Sequence, residues 1–441
     1  MAIFNRANIL LPQKELLEYW PVIACDQFTS QAEYWDKVRD TVKGHPSTYD
    51  LIYPEAEMTG GQNNNNSSEH VEHDGFDLVK DSEHGEQVKE HGNEQDEHTG
   101  KIDVIQKNMQ KYLTNGVLRE YPDSYVYVER TLKSGSVRKG IVGVIDLEEY
   151  DYHKDSTSPI RPTEKTILER IPPRVKIRED APIELSHVLL LCDDTDKVLI
   201  ESVAAEKDSL DQLYSIDLMQ GGGHVSGWLV TGDAADRFDG AMKQYLRCQE
   251  EKGSTIMFAV GDGNHSLAAA KECWENIKKT HPGIKTHPAR YAMVELENLQ
   301  DEAQHFERIN RVVKDVDTAD LLTAIQSVCA DGGFPIHWST KTDEGEVSLD
   351  TSDGRLPVAV LQRFLDEYIA EHGGYIDYIH GTKIAAGLAR EDDAIAFILP
   401  WINKDDLFEN IDKEGSMPRK AFSVGHAEEK RYYLECRKIV D

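Results

Sequence analysis

The chain has 441 residues, 39% of them hydrophobic, with 80 acidic against 49 basic side chains and a formal net charge of −31 at pH 7. The length accommodates roughly two or three domains of ordinary size, and the charge disfavours a surface for nucleic-acid duplexes or anionic membranes, where phosphates call for Lys and Arg. No apolar run approaches the roughly 20 residues of a spanning helix, the N-terminus lacks a signal-peptide layout, and the six scattered cysteines, without a Cys-x-x-Cys pair, read as reduced thiols in a cytoplasmic protein.

Residues 8–20 read as a short helix. An apolar strand follows through Val22, Ile23 and Ala24 and ends in Cys25-Asp26-Gln27, with Thr29 or Ser30 placed to cap the helix that carries Glu33, Tyr34 and Trp35. Asp26 stands where the carboxyl end of a strand offers a carboxylate to a crevice; an ordinary turn residue is the alternative. Residues 55–101 break the pattern, with a run of Gly, Gln, Asn and Ser and then Glu, His, Asp and Gly with almost no apolar residues. Such a segment cannot bury enough surface to offset its ordering entropy and is expected to be a disordered acidic, His-rich insertion. His70, His73, His84, His91 and His98 could collect a divalent metal weakly there.

A helix is expected over residues 102–115, then two strands around Tyr125 to Arg130 and Gly140 to Leu147, joined by the turn residues Lys133-Ser134-Gly135-Ser136. The polar stretch 160–170 gathers Arg161, Glu164, Lys165, Glu169 and Arg170. Arg and Lys there suit phosphates, and Glu164 suits Mg²⁺ or a hydroxyl proton; a surface helix laced with ion pairs is the bland alternative. Further strands are expected at residues 188–191, 198–201 and 228–230, and a helix over 234–249.

The stretch with the most chemistry is 254–279. An apolar run through Met257, Phe258, Ala259 and Val260 has strand length, and Leu267, Ala270, Trp274 and Ile277 recur at helical spacing. Between them lie Gly261, Asp262, Gly263, Asn264, His265 and Ser266. Glycines permit positive φ and close approach, and the first N–H groups of a helix lack partners and sit at the positive end of its dipole. Such a mouth binds anions, phosphate above all. Bulk at Gly263 would then block binding while sparing the fold. Gly-Asp-Gly also fits a plain turn and Asn264 or Ser266 a plain cap. The Walker ending and the third glycine of a dinucleotide fingerprint are absent. Beyond a strand at residues 291–296, the helix and strand signals restart near Asp315. The reading is therefore an α/β (or α+β) protein: a main domain of residues 1–54 and 102–315, the insertion, and a smaller C-terminal α/β domain, 316–441.

Four motifs in order carry a resemblance. Asp262-Gly263-Asn264-His265-Ser266 matches an Asp-Gly-His-His-Arg loop after a strand, and Glu164-Lys165-Thr166 with Arg170 matches a Glu-Lys-Thr stretch with a downstream Arg. Tyr378-Ile379-His380-Gly381 and Met417-Pro418-Arg419-Lys420 match a Tyr-Ile-His-Gly and a Met-Pro-Arg-Lys turn. Together they resemble domain-of-unknown-function family 1015, over nearly the whole chain except the insertion. That family is similar to the ParB/sulfiredoxin-like group, whose loop at a helix N-terminus holds nucleotide phosphates and which includes CTP-binding partition proteins, sulfiredoxins and free-serine kinases.

The resemblance implies a mixed-sheet core and a need for Mg²⁺ with ATP or another nucleotide. Ser266 stands where the family loop has Arg, and Thr163 where a His often precedes the Glu, so a phosphate clamp would have to come from Arg161, Lys165, Arg170 or Lys271. The loop lacks the reactive Cys of sulfiredoxin chemistry. The expected function is a nucleotide-dependent phosphotransferase on a small hydroxyl metabolite such as free serine, with no nucleic-acid or membrane partner. Gly261, Asp262, Gly263, Asn264, Ser266, Lys165 and Arg170 would hold phosphates, Asp262 and Asn264 would place the metal, and Asp26, Glu164 and His265 are the catalytic candidates. A nucleotide-binding regulator without turnover and a phosphate-ester hydrolase using His265 are the alternatives.

Overall fold

The computed structural model describes residues 3–29, 31–58 and 91–440, with side chains described from Gly100 onward in the helix His91–Thr114. The central part of the expected insertion lies outside the described residues; its flanks are the helix Glu55–Met58 and the start of His91–Thr114. No helix among the described residues is long and apolar enough to cross a membrane.

Among the described residues, twelve strands form one mixed sheet. Its spine runs Ile160–Pro162, Phe258–Asp262, Leu189–Cys192, Tyr291–Asn298, Val137–Asp146, Leu118–Thr131, Ala7–Pro12, Cys436–Lys438 and Ile183–Leu185. The pairs 160–162 with 258–262 and 189–192 with 291–298 are parallel, and the others along this spine are antiparallel. The two-residue period of a strand sorts its side chains to opposite faces. Tyr125, Tyr127, Ile141 and Ile145 enter one core, with Phe258, Val260 and the helix residues Leu267, Ala270 and Trp274. Val126, Val128, Val142 and Val144 enter the other, with Trp20, Trp35 and Tyr433. Gly143 is required at the crossing, because a Cβ there would lie 2.6 Å from the Phe4 ring.

Among the described residues a second sheet has six strands, ordered Glu344–Leu349, Cys329–Ser339, Ala394–Ile398, Phe306–Lys314, Tyr375–His380, with Phe422–Val424 beside the start of 306–314. The helix Pro357–His372 buries Leu361, Phe364 and Leu365 in the core of this unit. The chain then returns: Tyr432–Tyr433 pairs with Val22–Ile23, and Cys436–Lys438 joins the main sheet.

Two local expectations change. Residues 8–20 form mainly the strand Ala7–Pro12 and a short turn of 3-10 helix at Lys14–Leu16, because Ile9, Leu10 and Leu11 are buried on both faces between Leu118–Thr131 and the C-terminal strand. The apolar run at 198–201 forms the helix Ile200–Ala204, which buries Ile200 and Val203 on one side. Both runs are too short for periodicity to separate strand from helix.

Candidate functional site

The apolar strand Phe258–Asp262 is buried between Ile160–Pro162 and Leu189–Cys192 and delivers its carboxyl end to the helix Asn264–Thr280. Gly263 makes the junction in the left-handed region at φ +78°, and no side chain caps the helix. The N–H groups of the first turn therefore have neither intrahelical nor side-chain acceptors. The expectation that bulk at Gly263 spares the fold does not survive: a Cβ would sit 2.9 Å from Val188 Cγ2 and 3.0 Å from Val188 Cα. Gly261 is also tight, with a Cβ meeting Leu191 at 3.0 Å.

Asp262 turns one oxygen back to accept from Gly263 N–H at 2.9 Å, and its other oxygen is 3.1 Å from Lys430 Nζ. The Asn264 Oδ1 atom is buried without a hydrogen-bond donor. His265 Nε2 accepts from the Ile167 N–H at 3.1 Å, which leaves Nδ1 as the protonated nitrogen of the neutral ring. Burial, then the charges of Arg174 and Arg170, lower the His265 pKa to about 4. His265 thus ties residues 163–167 to the loop as an acceptor. Thr163 ties the same segment to the strand, with both N–H and hydroxyl donated to Val260 O.

Asp26 reaches this neighbourhood from the turn after Val22–Ile23. Burial acts to raise its pKa, but His187, the Gln27 amide and the charges of Arg174 and Lys430 outweigh burial and hold the carboxyl below its ordinary value. Its Oδ2 is 3.9 Å from His187 Nε2, and the other nitrogen of that ring is 2.9 Å from the Tyr433 hydroxyl. Tyr433 donates to Cys25 Sγ at 3.1 Å. Burial, then the Asp26 charge, push the Cys25 thiol up to about 11, so it is not a thiolate nucleophile at neutral pH. A cavity of about 120 Å³ opens here, lined by Cys25, Arg174, Ser266 and Tyr433 among mainly apolar neighbours such as Ile52, Met109 and Ala269. Arg174 is paired with Glu55 and donates to Arg170 O.

The structure thus gathers Asp26, Asp262, Asn264, His265 and Ser266 around one strand end, with the Arg170 charge acting on His265. Glu164 points elsewhere. Its carboxylate accepts from Lys420 N–H at 2.9 Å and Phe422 N–H at 3.3 Å, and its backbone bridges to Met417. Burial raises its pKa against these donors. The Lys165 side chain is exposed while its N–H bonds Met417 O. Two alternative clamps are engaged in structure: Arg161 holds Asp412 at 2.6 Å and Thr255 at 2.9 Å, and Lys271 holds Leu147 O at 2.8 Å and Glu275 at 3.0 Å. Among the described residues no group of three or more His, Cys, Asp or Glu side chains could hold a metal ion.

Arg174, His187, Lys430 and Tyr433 are site residues that the sequence reading did not single out. The dense Lys430-Arg431-Tyr432-Tyr433 run was a signal, but nothing local connects it to Cys25, 408 positions away.

A profile of the family described as "Protein of unknown function (DUF1015)" matches residues 83–438, most of the chain. No curated protein matches. Three solved structures are similar in outline. SbnI with C-terminal truncation from Staphylococcus aureus has a TM-score of 0.35 and 9% identity, covering 64% of this chain and 82% of that one. A conserved hypothetical protein from Pyrococcus furiosus has a TM-score of 0.32 and 11% identity, covering 65% and 92%. A free serine kinase in complex with AMP has a TM-score of 0.36 and 11% identity, covering 67% and 90%.

Proposed function

The chain belongs to the DUF1015 family, and for this member we propose a nucleotide-dependent phosphotransferase acting on a small hydroxyl metabolite such as free serine, on a ParB/sulfiredoxin-like core. The observation that carries the reading is the uncapped start of the helix Asn264–Thr280, reached through left-handed Gly263 and set beside an Asp26 held ionised. Phosphate oxygens would accept from the first-turn N–H groups and gain the helix dipole. Arg174 and Arg170 contribute positive charge to the same region. The Asn264 Oδ1, buried and without a donor, is a hard oxygen suited to a phosphate-borne Mg²⁺, which needs only one or two protein ligands, and Asp262 would join it by exchanging its ion pair with Lys430 for the metal. Bound there, Mg²⁺ would neutralise charge on the transferring phosphate.

Asp26 takes the proton of the acceptor hydroxyl. The acceptor oxygen forms its bond to the terminal phosphorus as the bond from that phosphorus to the bridging oxygen breaks, and a nucleoside diphosphate leaves. His265 is a positioning residue in this reading, since its acceptor nitrogen is spent on Ile167. The test is to incubate the protein with Mg²⁺ and ATP, GTP or CTP, with and without free serine. Diphosphate release that depends on the acceptor supports the transferase, and Asp26→Asn should abolish it while leaving ADP-induced stabilisation. Binding without turnover would favour a regulator, and acceptor-independent phosphate release a hydrolase.

A further inference from the structure

The cavity beside the helix start holds a second cation that the phosphate reading leaves unused. The helix Ile171–Arg178 carries Arg174 and Arg178 four residues apart, so both lie on one face, separated by about 6 Å along the axis. Both line the cavity of about 120 Å³, whose wall is otherwise mainly apolar, from residues such as Leu51, Ile52, Met109, Ile177 and Ile183. Arg174 is paired with Glu55. The Arg178 side chain is only 14% exposed and places Nη1 2.5 Å from Glu184 Oε2. Its Nε and Nη2 are buried without a hydrogen-bond partner. Those two groups share one edge of the guanidinium plane, the fork that takes both oxygens of a carboxylate.

Glu184 does not belong to Arg178 alone. Its other oxygen accepts from Arg437 Nε at 2.6 Å and from Met293 N–H at 2.9 Å. Two guanidinium groups thus share one carboxylate, and the trio carries one positive charge. Glu179 and Asp180, next along the chain, are exposed to solvent. Burial lowers the Arg437 pKa; Glu184 opposes that shift and Arg178 adds to it. A buried donor without an acceptor and a buried charge without a full counter-charge both cost free energy. A monoanion with an apolar body answers both and also covers the apolar wall.

We propose that Arg178 holds the carboxylate of the acceptor, and that the acceptor is a hydroxy acid with an apolar chain between its carboxylate and its hydroxyl. The proposal rests on the phosphotransferase reading for the fate of the hydroxyl, and it narrows that acceptor. Asp26 follows Cys25 on the cavity wall and feels the Arg174 charge, whereas Arg178 lies one helical turn beyond Arg174. A hydroxyl at Asp26 and a carboxylate at Arg178 are therefore farther apart than in serine, which carries the two groups on adjacent carbons. An ammonium group is also poorly served. Among the described residues lining the cavity the carboxylates are Glu55, engaged by Arg174, and Glu184, engaged by Arg178 and Arg437.

The test titrates pentanoate, 5-hydroxypentanoate, pentylamine and free serine into the full chain by calorimetry, without nucleotide. Pentanoate and 5-hydroxypentanoate should bind about tenfold or more tighter than pentylamine or serine, a difference readily resolved in Kd. Shortening pentanoate to butanoate should cost about fourfold, the worth of one buried CH₂. Arg178→Gln should weaken pentanoate by about tenfold or more, and a denaturant melt checks that it folds. Should it not fold, the comparison of pentanoate with pentylamine on the wild-type chain decides. The proposal is overturned if pentanoate does not bind the wild-type chain, if pentylamine or serine binds as tightly as 5-hydroxypentanoate, or if folded Arg178→Gln binds pentanoate as tightly as wild type. Tight binding of 5-hydroxypentanoate with no diphosphate release on adding Mg²⁺ and nucleotide would sink the phosphotransferase reading and leave the carboxylate site standing.

Discussion

Ser266→Asp separates a phosphate-binding helix start from a plain structural turn. Ser266 lies in the first turn of the helix Asn264–Thr280 and lines the cavity with Arg174. A carboxylate in that turn interacts favourably with the helix dipole, so the substitution should leave stability unchanged or raise it by about 0.3–1 kcal/mol. A nucleotide phosphate bound at the first-turn N–H groups would lie near the new charge. At about 4 Å and an effective dielectric of about 20 the repulsion is about 4 kcal/mol. At about 1.4 kcal/mol per decade that is a loss of affinity of roughly a thousandfold. The assay pairs thermal melts without ligand with calorimetric titration of ADP and Mg²⁺. Unchanged melting with lost ADP binding is the expected result, and Ser266→Ala should bind ADP as wild type does. An ADP affinity in Ser266→Asp within a factor of about 3 of wild type, too little for that repulsion, would refute a phosphate position at the helix start.

Gly263→Ala should cost about 2–5 kcal/mol in a denaturant melt, from the left-handed φ and the collision with Val188; a loss under about 1 kcal/mol would mean the junction relaxes freely. The lowered His265 pKa predicts a stability that falls with pH. The unfolded state takes its proton near pH 6.5 and the folded state only near pH 4, so the contribution is complete above about pH 6.5. As pH drops to about 4, up to about 3 kcal/mol is lost; His265→Gln, which keeps an acceptor for Ile167, should flatten that part of the profile. Glu164→Ala leaves the N–H groups of Lys420 and Phe422 without their acceptor and should cost about 2–4 kcal/mol. Glu164→Gln retains one oxygen and should cost less, and equal melts for both variants would show that the turn is not held by this side chain.

The strand, glycine turn and helix at residues 258–280 were legible in the sequence because each part is specified locally: an apolar run, a glycine free to take positive φ, and an alanine-rich helical stripe. The charged stretch around Glu164 was equally visible, as were the later Tyr-Ile-His-Gly and Met-Pro-Arg-Lys motifs. Strand or helix at Ile9 to Leu11 was not, because a three-residue apolar run fits both until its neighbours Leu118–Thr131 and Cys436–Lys438 are in place. Nor could the sequence show that β-strands at Phe306–Lys314 and Cys329–Ser339 open the second sheet, since polar and charged residues interrupt their apolar pattern and the tertiary fold buries Asn310 and Arg311 along with their apolar neighbours. The surroundings of Asp26 were beyond it as well: His187, Arg174 and Lys430 arrive from distant elements, and their charges join the adjacent Gln27 amide in holding the carboxyl below its ordinary value. Glu164 shows the limit most plainly. Its residue type advertised a catalytic or metal-binding carboxylate, but its partners are backbone N–H groups of Lys420, 256 positions away, and Phe422. Backbone donors are the same at every non-proline residue, so only the tertiary fold, by bringing that turn to the carboxylate, decided what Glu164 binds.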